Sequence, residues 1–220
     1  MVPDDKTYTP LKVHYAGGSG KLKPEIKNES EASNSASSIR APGNSLLDAG
    51  IKRSLEQALG IKIPVTNPQT WMINQRNKFL SGWKKEYLKM SPKEPSEIGL
   101  SLSLEQDDRV LVMYENEKLI TIAHYSFSFT GGAHGNYGTS LTTLQKPNGK
   151  QLTIKDVLTP AGMQALPAIL DKVARTQFGT KNTKPLDQNY FLVNKTPVTE
   201  NFYLTASELS LLYAPYKIFC

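Results

Sequence analysis

The apolar residues in the first half of the chain recur at helical spacing. Leu47, Ile51 and Leu55 lie four positions apart, which places them along one stripe of an α-helix. Ser45 precedes this stripe and is a residue type that favours a helix N-cap, because its hydroxyl can accept a backbone hydrogen bond. The pattern therefore predicts a helix from about Ser45 to Leu59.

A second helix is predicted from about Asn67 to Met90, with Asn67 as its cap and Pro68 in its first turn. Its methionine and aromatic stripe indicates a core-facing side rather than a cofactor site. The residues expected to be buried are Met72, Phe79, Leu80, Trp83, Tyr87 and Leu88.

After residue 95 the hydrophobic period changes to two, which indicates β-strands. Four segments show this period: "IGLSLSLE", "RVLVMYE", "LITIAHYSFSFT" and "YGTSLTTLQ". The short polar connections "QDD" and "ENEK" separate the first three, so the segments are predicted to pair as an antiparallel meander. Together with the helices, this predicts an α+β fold class, an antiparallel β-meander with helices packed on the sheet.

A helix and a short hairpin are predicted for the last third of the chain. Because proline disrupts a helix interior, the main helix is predicted to begin at about Leu166, with Pro167 in its first turn, and to end at Gly179. The residues expected to face the core are Ile169, Leu170, Val173 and Phe178. The segment "NFYLTASELSLLYAPY" predicts two short strands around a turn at residues 205–207.

The chain is predicted to have three parts. Residues 1–44 combine a strand, in the alternating segment "LKVHY", with a flexible segment rich in serine, glycine and asparagine. Residues 45–95 are a helical N-terminal half, and residues 96–220 hold the antiparallel sheet and a further helix. The second and third parts are expected to form one compact unit.

Charge and composition narrow the classes of function. The chain has 26 Lys and Arg against 20 Asp and Glu, but these basic residues are scattered, which argues against nucleic acid as a partner. The single cysteine, Cys220, permits no internal disulfide. No stretch has the length and apolarity of a membrane span, and the first ten residues show no signal pattern. Membrane attachment is therefore expected only through an anchor absent from this chain.

The segment "FSFTGGAHGNYGTS" joins the third and fourth predicted strands and is the candidate ligand-binding loop. Gly131, Gly132 and Gly135 permit the positive φ angles of a wide turn, and Asn136 tolerates left-handed geometry. His134 is expected at the exposed tip of this turn, where it can contact a ligand or hydrogen-bond within the turn.

Two tyrosines beside the loop complete the candidate site. Pairing of Phe129 with Tyr137 would bring Tyr125 opposite Leu141, a plausible apolar cross-strand register. Exposed aromatic side chains make good recognition anchors, so Tyr125 and Tyr137 are candidate ligand contacts. The alternative places both tyrosines in the core, which the alternation along the strands also fits.

Catalysis by the loop would need further groups. The motif holds no carboxylate, serine elbow or cysteine nucleophile, and it lacks the ending of a phosphate loop. His124 would lie about 20 Å from the hairpin end, too far to share a metal ion with His134. No catalytic residue, metal or cofactor is predicted. The alternative is a cell-wall hydrolase in which His134 acts with Asp156 or Glu200.

Two motifs resemble a known family. They are "GGAHGN" at residues 131–136 and the Asn-Phe-x-Leu-Thr segment at residues 201–205, which Pro215 and Tyr216 follow. Both resemble the C-terminal domain shared by RsiV-type anti-sigma factors and PdaC-type polysaccharide deacetylases, which also occurs in many bacterial envelope lipoproteins. The resemblance covers roughly residues 95–218, with Lys217 where the family commonly has an acidic residue.

The resemblance implies an α+β domain on the outer side of a bacterial membrane, either periplasmic or on the envelope surface. Because RsiV-type proteins sense lysozyme with such a domain, the chain is expected to be a non-catalytic extracytoplasmic binding or sensing domain. Its expected partner is a lysozyme-like protein or a peptidoglycan fragment. A third possibility is an assembly module that pairs through an open sheet edge.

Overall fold

The computed structural model describes residues 11–15, 32–41, 43–60, 62–63, 68–89, 104–130, 134–179, 185–188, 191–214 and 217–218. The strands are β1 (Leu11–Tyr15), β2 (Ala32–Ser38), β3 (Leu104–Glu115), β4 (Leu119–Phe129), β5 (Asn136–Gln145), β6 (Phe202–Leu204) and β7 (Leu209–Leu211). The α-helices are α1 (Ser45–Leu59), α2 (Pro68–Lys89), α3 (Ile154–Val157) and α4 (Pro160–Gln177), with a 3₁₀ turn at Leu186–Gln188. Among these described helices, none is both long and apolar enough to cross a bilayer.

The larger sheet has five strands in the order β1-β2-β3-β4-β5. The last three form an antiparallel meander, while β2 pairs with β3 in parallel and with β1 antiparallel. Because side chains alternate along a strand, the even-numbered residues of β4 lie on one face of the sheet and the odd-numbered residues on the other.

Helix α1 covers the even-numbered face of β4. Leu47, Ile51 and Leu55 of the helix are buried in one cluster with Ile120 and Ile122 of β4. Burying an aliphatic side chain contributes roughly 1.5–3 kcal/mol, so this cluster holds the helix on the sheet. The residues whose i, i+4 spacing predicts the helix are thus the same residues that pack it against the sheet.

The opposite face carries the β6–β7 hairpin together with α3 and α4. Buried residues from all three, Ile154, Leu166 and Phe202, form a second cluster, and Leu119 at the start of β4 packs against it. With helices and the small two-stranded sheet packed on the meander, the predicted α+β fold class is confirmed.

Asn201, just before β6, attaches the hairpin to the outer edge of β5. Its Nδ2 donates to the carbonyl of Thr139 at 2.8 Å, and its Oδ1 accepts from the N–H of Leu141 at 2.6 Å. The side-chain amide thus makes the two hydrogen bonds that a neighbouring strand would otherwise make at an exposed edge.

Several predicted limits are confirmed. The helix predicted from Ser45 to Leu59 has those limits, although Asn44 rather than Ser45 accepts the capping hydrogen bond from Leu47. The second helix spans Pro68–Lys89. Gly179, the predicted end of α4, follows the last turn of that helix with a φ of 64°.

The predicted buried side of α2 is described only in part. Phe79 and Leu80 are half-buried. The cap Asn67 and the side chains of Met72, Trp83, Tyr87 and Leu88 lie outside the described part of the chain.

Two strand predictions are wrong. β2 lies within the segment predicted to be flexible, because its backbone pairs on both sides although its side chains are small and polar. The residues of "QDD", 106–108, are not a turn but lie inside β3, where they pair with residues 126–128 of β4. In both places the structure is determined by backbone hydrogen bonds between strands. The pattern of hydrophobic residues along the sequence does not indicate these bonds. Residues 98–103 of the first predicted strand lie outside the described residues.

The start of α4 also differs from the prediction. The helix begins at Pro160, because the Thr159 hydroxyl accepts from the N–H of Gly162 at 3.1 Å and proline suits the first helical position. Pro167 consequently lies inside the helix, on its exposed side. The helix buries Leu166 and Ala174, while the predicted core residues Ile169, Val173 and Phe178 are exposed.

Candidate ligand-binding surface

The glycine loop connects β4 to β5 at one end of the sheet. In the ladder Phe127 lies opposite Tyr137 and Ser128 lies opposite Asn136. The register in which Phe129 pairs with Tyr137 is therefore wrong by two residues, because Tyr137 pairs with the residue two positions earlier on β4. A shift of two leaves every side chain on its predicted face, since the side-chain period of a strand is two.

His134 and Gly135 occupy the end of the loop, and Gly131 and Gly132 lie outside the described residues. His134 is exposed, and its Nδ1 lies 3.3 Å from the carbonyl oxygen of Gly135, to which it can donate. A Cβ atom added at Gly135 would overlap the ring of Phe127. Glycine thus lets the backbone approach the aromatic ring closely, and a larger residue here would displace that ring.

Aromatic side chains line the odd-numbered face next to the loop. Tyr137 is 58% exposed, and Asn136 beside it is exposed at the start of β5. Tyr125, Phe127 and Phe129 are half-buried on the same face of β4. Tyr125 lies opposite Thr139 rather than the predicted Leu141.

A cation adjoins these rings from β3. Arg109 lies opposite Tyr125 in the ladder, and its side chain is 59% exposed. Its guanidinium forms an ion pair of 2.5 Å with Asp107, and this hydrogen bond raises the pKa of Arg109. We call Tyr125, Phe127, Phe129, Tyr137 and Arg109 the aromatic surface.

The aromatic surface is suited to recognition by contact. Exposed tyrosine rings offer apolar faces with a polar hydroxyl, and arginine adds charge-assisted hydrogen bonds; both are frequent anchors at protein interfaces. Of the aromatic surface, the sequence predicts Tyr125 and Tyr137 as ligand contacts. It does not predict Arg109, Phe127 or Phe129 as ligand contacts. Alternation already placed both phenylalanines on this face, whereas Arg109 joins only through the register of β3 with β4.

The acidic residues considered as partners of His134 make other contacts. Asp156 pairs with Lys150 at 2.8 Å and accepts hydrogen bonds from Thr153, and these contacts lower its pKa. Glu200 accepts from the N–H of Ile154 at 2.8 Å. Both carboxylates therefore support the start of α3. Across the described ranges, no three His, Cys, Asp or Glu side chains come together as metal ligands.

His124 lies away from the loop, on the even-numbered face. It is buried, and its Nε2 lies 3.2 Å from Oδ1 of Asp108 on β3. It has no place in the aromatic surface, because neighbouring residues of a strand face opposite sides of the sheet.

The fold as a whole is similar to solved structures. A member of the DUF3298 family from Bacteroides fragilis matches with a TM-score of 0.75 at 17% identity, over 96% of this chain and 85% of that chain. A DUF3298 family protein from Pseudomonas aeruginosa matches with a TM-score of 0.59 at 18% identity, over 96% of this chain and 84% of that chain. The sequence itself matches no family model and no curated protein. The chain thus shares the fold of DUF3298 family proteins.

Proposed function

We propose that this chain is a non-catalytic binding or sensing domain that works outside the cytoplasm. Its ligand contacts the aromatic surface and the adjoining residues His134, Gly135 and Asn136, with Gly131 and Gly132 completing the loop. The observation that carries the proposal is the 58% exposure of Tyr137 at the end of the hairpin, beside further rings and an arginine.

Two ligands fit this proposal. The resemblance to lysozyme-sensing domains favours a lysozyme-like protein, for which Tyr137 would serve as a central anchor. A peptidoglycan fragment is the second, because sugar rings can stack on exposed aromatic side chains. The two make different demands: a protein would cover the whole aromatic surface, whereas a short glycan would contact only one or two rings.

Calorimetric titration of the chain with hen egg-white lysozyme, and separately with a soluble peptidoglycan fragment, tests the proposal. Tyr137→Ala and His134→Ala are the test variants. Leu46→Ala is the matched control, since Leu46 is 56% exposed on α1 at the other end of the sheet. We expect binding of one ligand, weakened at least about tenfold by Tyr137→Ala.

The control variant separates the loss of a ligand contact from a general effect of substitution on the protein. Leu46→Ala should leave the affinity unchanged, and all three variants should keep the circular dichroism spectrum of the parent chain. The proposal would be contradicted if neither lysozyme nor the peptidoglycan fragment binds. It would also be contradicted if Tyr137→Ala and His134→Ala both leave the affinity unchanged.

A further inference from the structure

A cleft of about 620 Å³ opens on the other side of the sheet from the aromatic surface. It lies between the last turns of α1, the even-numbered face of the β4–β5 hairpin, and the segments at residues 197–201, 212–214 and 217–218. Clefts of this size are typical of small-molecule sites. The space exists because β4 and β5 place Ser126, Gly138 and Ser140 there, where larger residues would fill it.

A buried histidine lines this cleft. His124 is 6% exposed, and its Nε2 is 3.2 Å from Oδ1 of Asp108, whose other oxygen accepts from Gln106 at 2.9 Å. In the neutral imidazole whose Nε2 donates to this carboxylate, Nδ1 is left as an acceptor. Within the part of the chain that the structure describes, Nδ1 has no hydrogen-bond partner. A ligand in the cleft that brings a hydrogen-bond donor can pair with this acceptor.

The remaining lining selects the chemistry of the ligand. Hydroxyl and amide side chains dominate the polar part, and the ionisable groups Glu200 and Lys217 are of opposite sign. One oxygen of Glu200 is already engaged with the N–H of Ile154. The cleft therefore favours a neutral ligand that is rich in hydroxyl groups over a strongly charged one.

One wall is apolar and fixed in position. Tyr213 lines the cleft, and its hydroxyl donates to the carbonyl of Pro197 at 2.6 Å, which holds the ring in place. Burial also raises the pKa of Tyr213. A fixed aromatic ring opposite a row of polar groups matches a sugar, which has apolar C–H faces and hydroxyl edges.

We propose that this cleft binds a neutral saccharide, one hydroxyl of which donates a hydrogen bond to Nδ1 of His124. Asp108 acts as a positioning residue, because it fixes the tautomer and orientation of the imidazole. The site does not depend on the function proposed for the aromatic surface, since the two lie on opposite faces of the sheet.

Titration of the full chain with N,N′-diacetylchitobiose, followed through the imidazole ¹⁵N signals, tests this site. The chain has three histidines, so the signals can be assigned by single substitutions. We expect the His124 signals to shift and to saturate below about 10 mM ligand, a range in keeping with a small neutral sugar. The His134 signals should stay in place.

Two serine variants locate the binding without altering the histidine. Ser140→Leu fills the cleft opposite His124 and should abolish the shift, whereas Ser207→Leu, an exposed position in the β6–β7 turn, should leave it unchanged. No shift at His124, or a shift that survives Ser140→Leu, would overturn the proposal. Movement of the His134 signals alone would also overturn it and would direct the sugar to the aromatic surface.

Discussion

At the scale of single residues, Asn201 shows how one side chain can protect a sheet edge. It donates to Thr139 and accepts from Leu141, so both functions of its amide are used on β5. The same residue opens the Asn-Phe-x-Leu-Thr motif, which gives that motif a structural role: it fixes the β6–β7 hairpin to the edge of β5.

We expect Asn201→Ala to lower the free energy of unfolding by about 1–3 kcal/mol, because two partly buried backbone groups lose their partner. Urea unfolding followed by circular dichroism measures this change. Asn194→Ala is the matched control, because Asn194 is an exposed asparagine in the loop before β6. That control should change the free energy by less than about 0.5 kcal/mol. Equal effects of the two substitutions would argue against the edge-protecting role.

At the scale of elements, α1 is held by a close backbone approach as well as by its apolar stripe. A Cβ atom at Gly50 would overlap the carbonyl oxygen of Gly149, in the turn after β5. Arg53 donates to that same carbonyl at 3.1 Å, and Asn44 donates to the carbonyl of Lys146 at 2.9 Å. The helix and the turn therefore form one packed unit.

Two glycine-to-alanine substitutions test this packing with identical chemistry. Gly50→Ala should destabilise the chain by about 1–3 kcal/mol, since the added methyl group forces α1 away from the turn. Gly82→Ala in α2, where the added Cβ meets nothing, should stabilise it by up to about 1 kcal/mol through helix propensity. Thermal unfolding of both variants measures the difference. Stabilisation by both would show that the close approach is absent.

An ion pair connects α1 to the chain segment before it, and this gives a pH dependence. Burial raises the pKa of Asp48, but hydrogen bonds from Arg40 and the N–H of Ala41, with the charge of Arg40, outweigh it, so the pKa is lowered. A lowered folded-state pKa means that the contribution is complete above the unfolded pKa of about 4 and is lost as the pH falls through the folded value.

Asp48→Asn should therefore lower the free energy of unfolding at pH 7 by about 1 kcal/mol, a modest value because solvent screens the partly exposed pair. The difference in the free energy of unfolding between the parent chain and this variant should disappear as the pH falls below about 4. Denaturant unfolding at pH 7, 5 and 3 measures it. A difference that stays constant over this range would exclude the charge of Asp48 as its cause.

Sequence reasoning succeeded where the determining interactions are local. The limits of α1 follow from its i, i+4 stripe and a cap, both of which lie within one segment. It failed for β2, which exists through backbone pairing with residues distant in the chain, and for the register of the glycine hairpin. For the same reason Arg109 could not be foreseen at the candidate site, whereas Tyr137 could be named from the loop alone.

At the scale of the whole molecule, the meander separates two surfaces. Its odd-numbered face carries the aromatic surface near the glycine loop, and its even-numbered face carries α1 and the cleft lined by His124. The division into residues 1–44, 45–95 and 96–220 stays a prediction. The fold shared with the two DUF3298 proteins sets the scaffold, and the side chains of the hairpin define what it can recognise.

Hydrogen–deuterium exchange of the chain with and without hen egg-white lysozyme tests the central claim most directly, because it locates binding without any substitution. We predict slower exchange for residues 125–139, which hold the glycine loop and the four rings of the aromatic surface, with α4 unchanged. Protection confined to α4 or to the cleft segments, or no protection at a saturating lysozyme concentration, would contradict recognition of lysozyme through the aromatic surface.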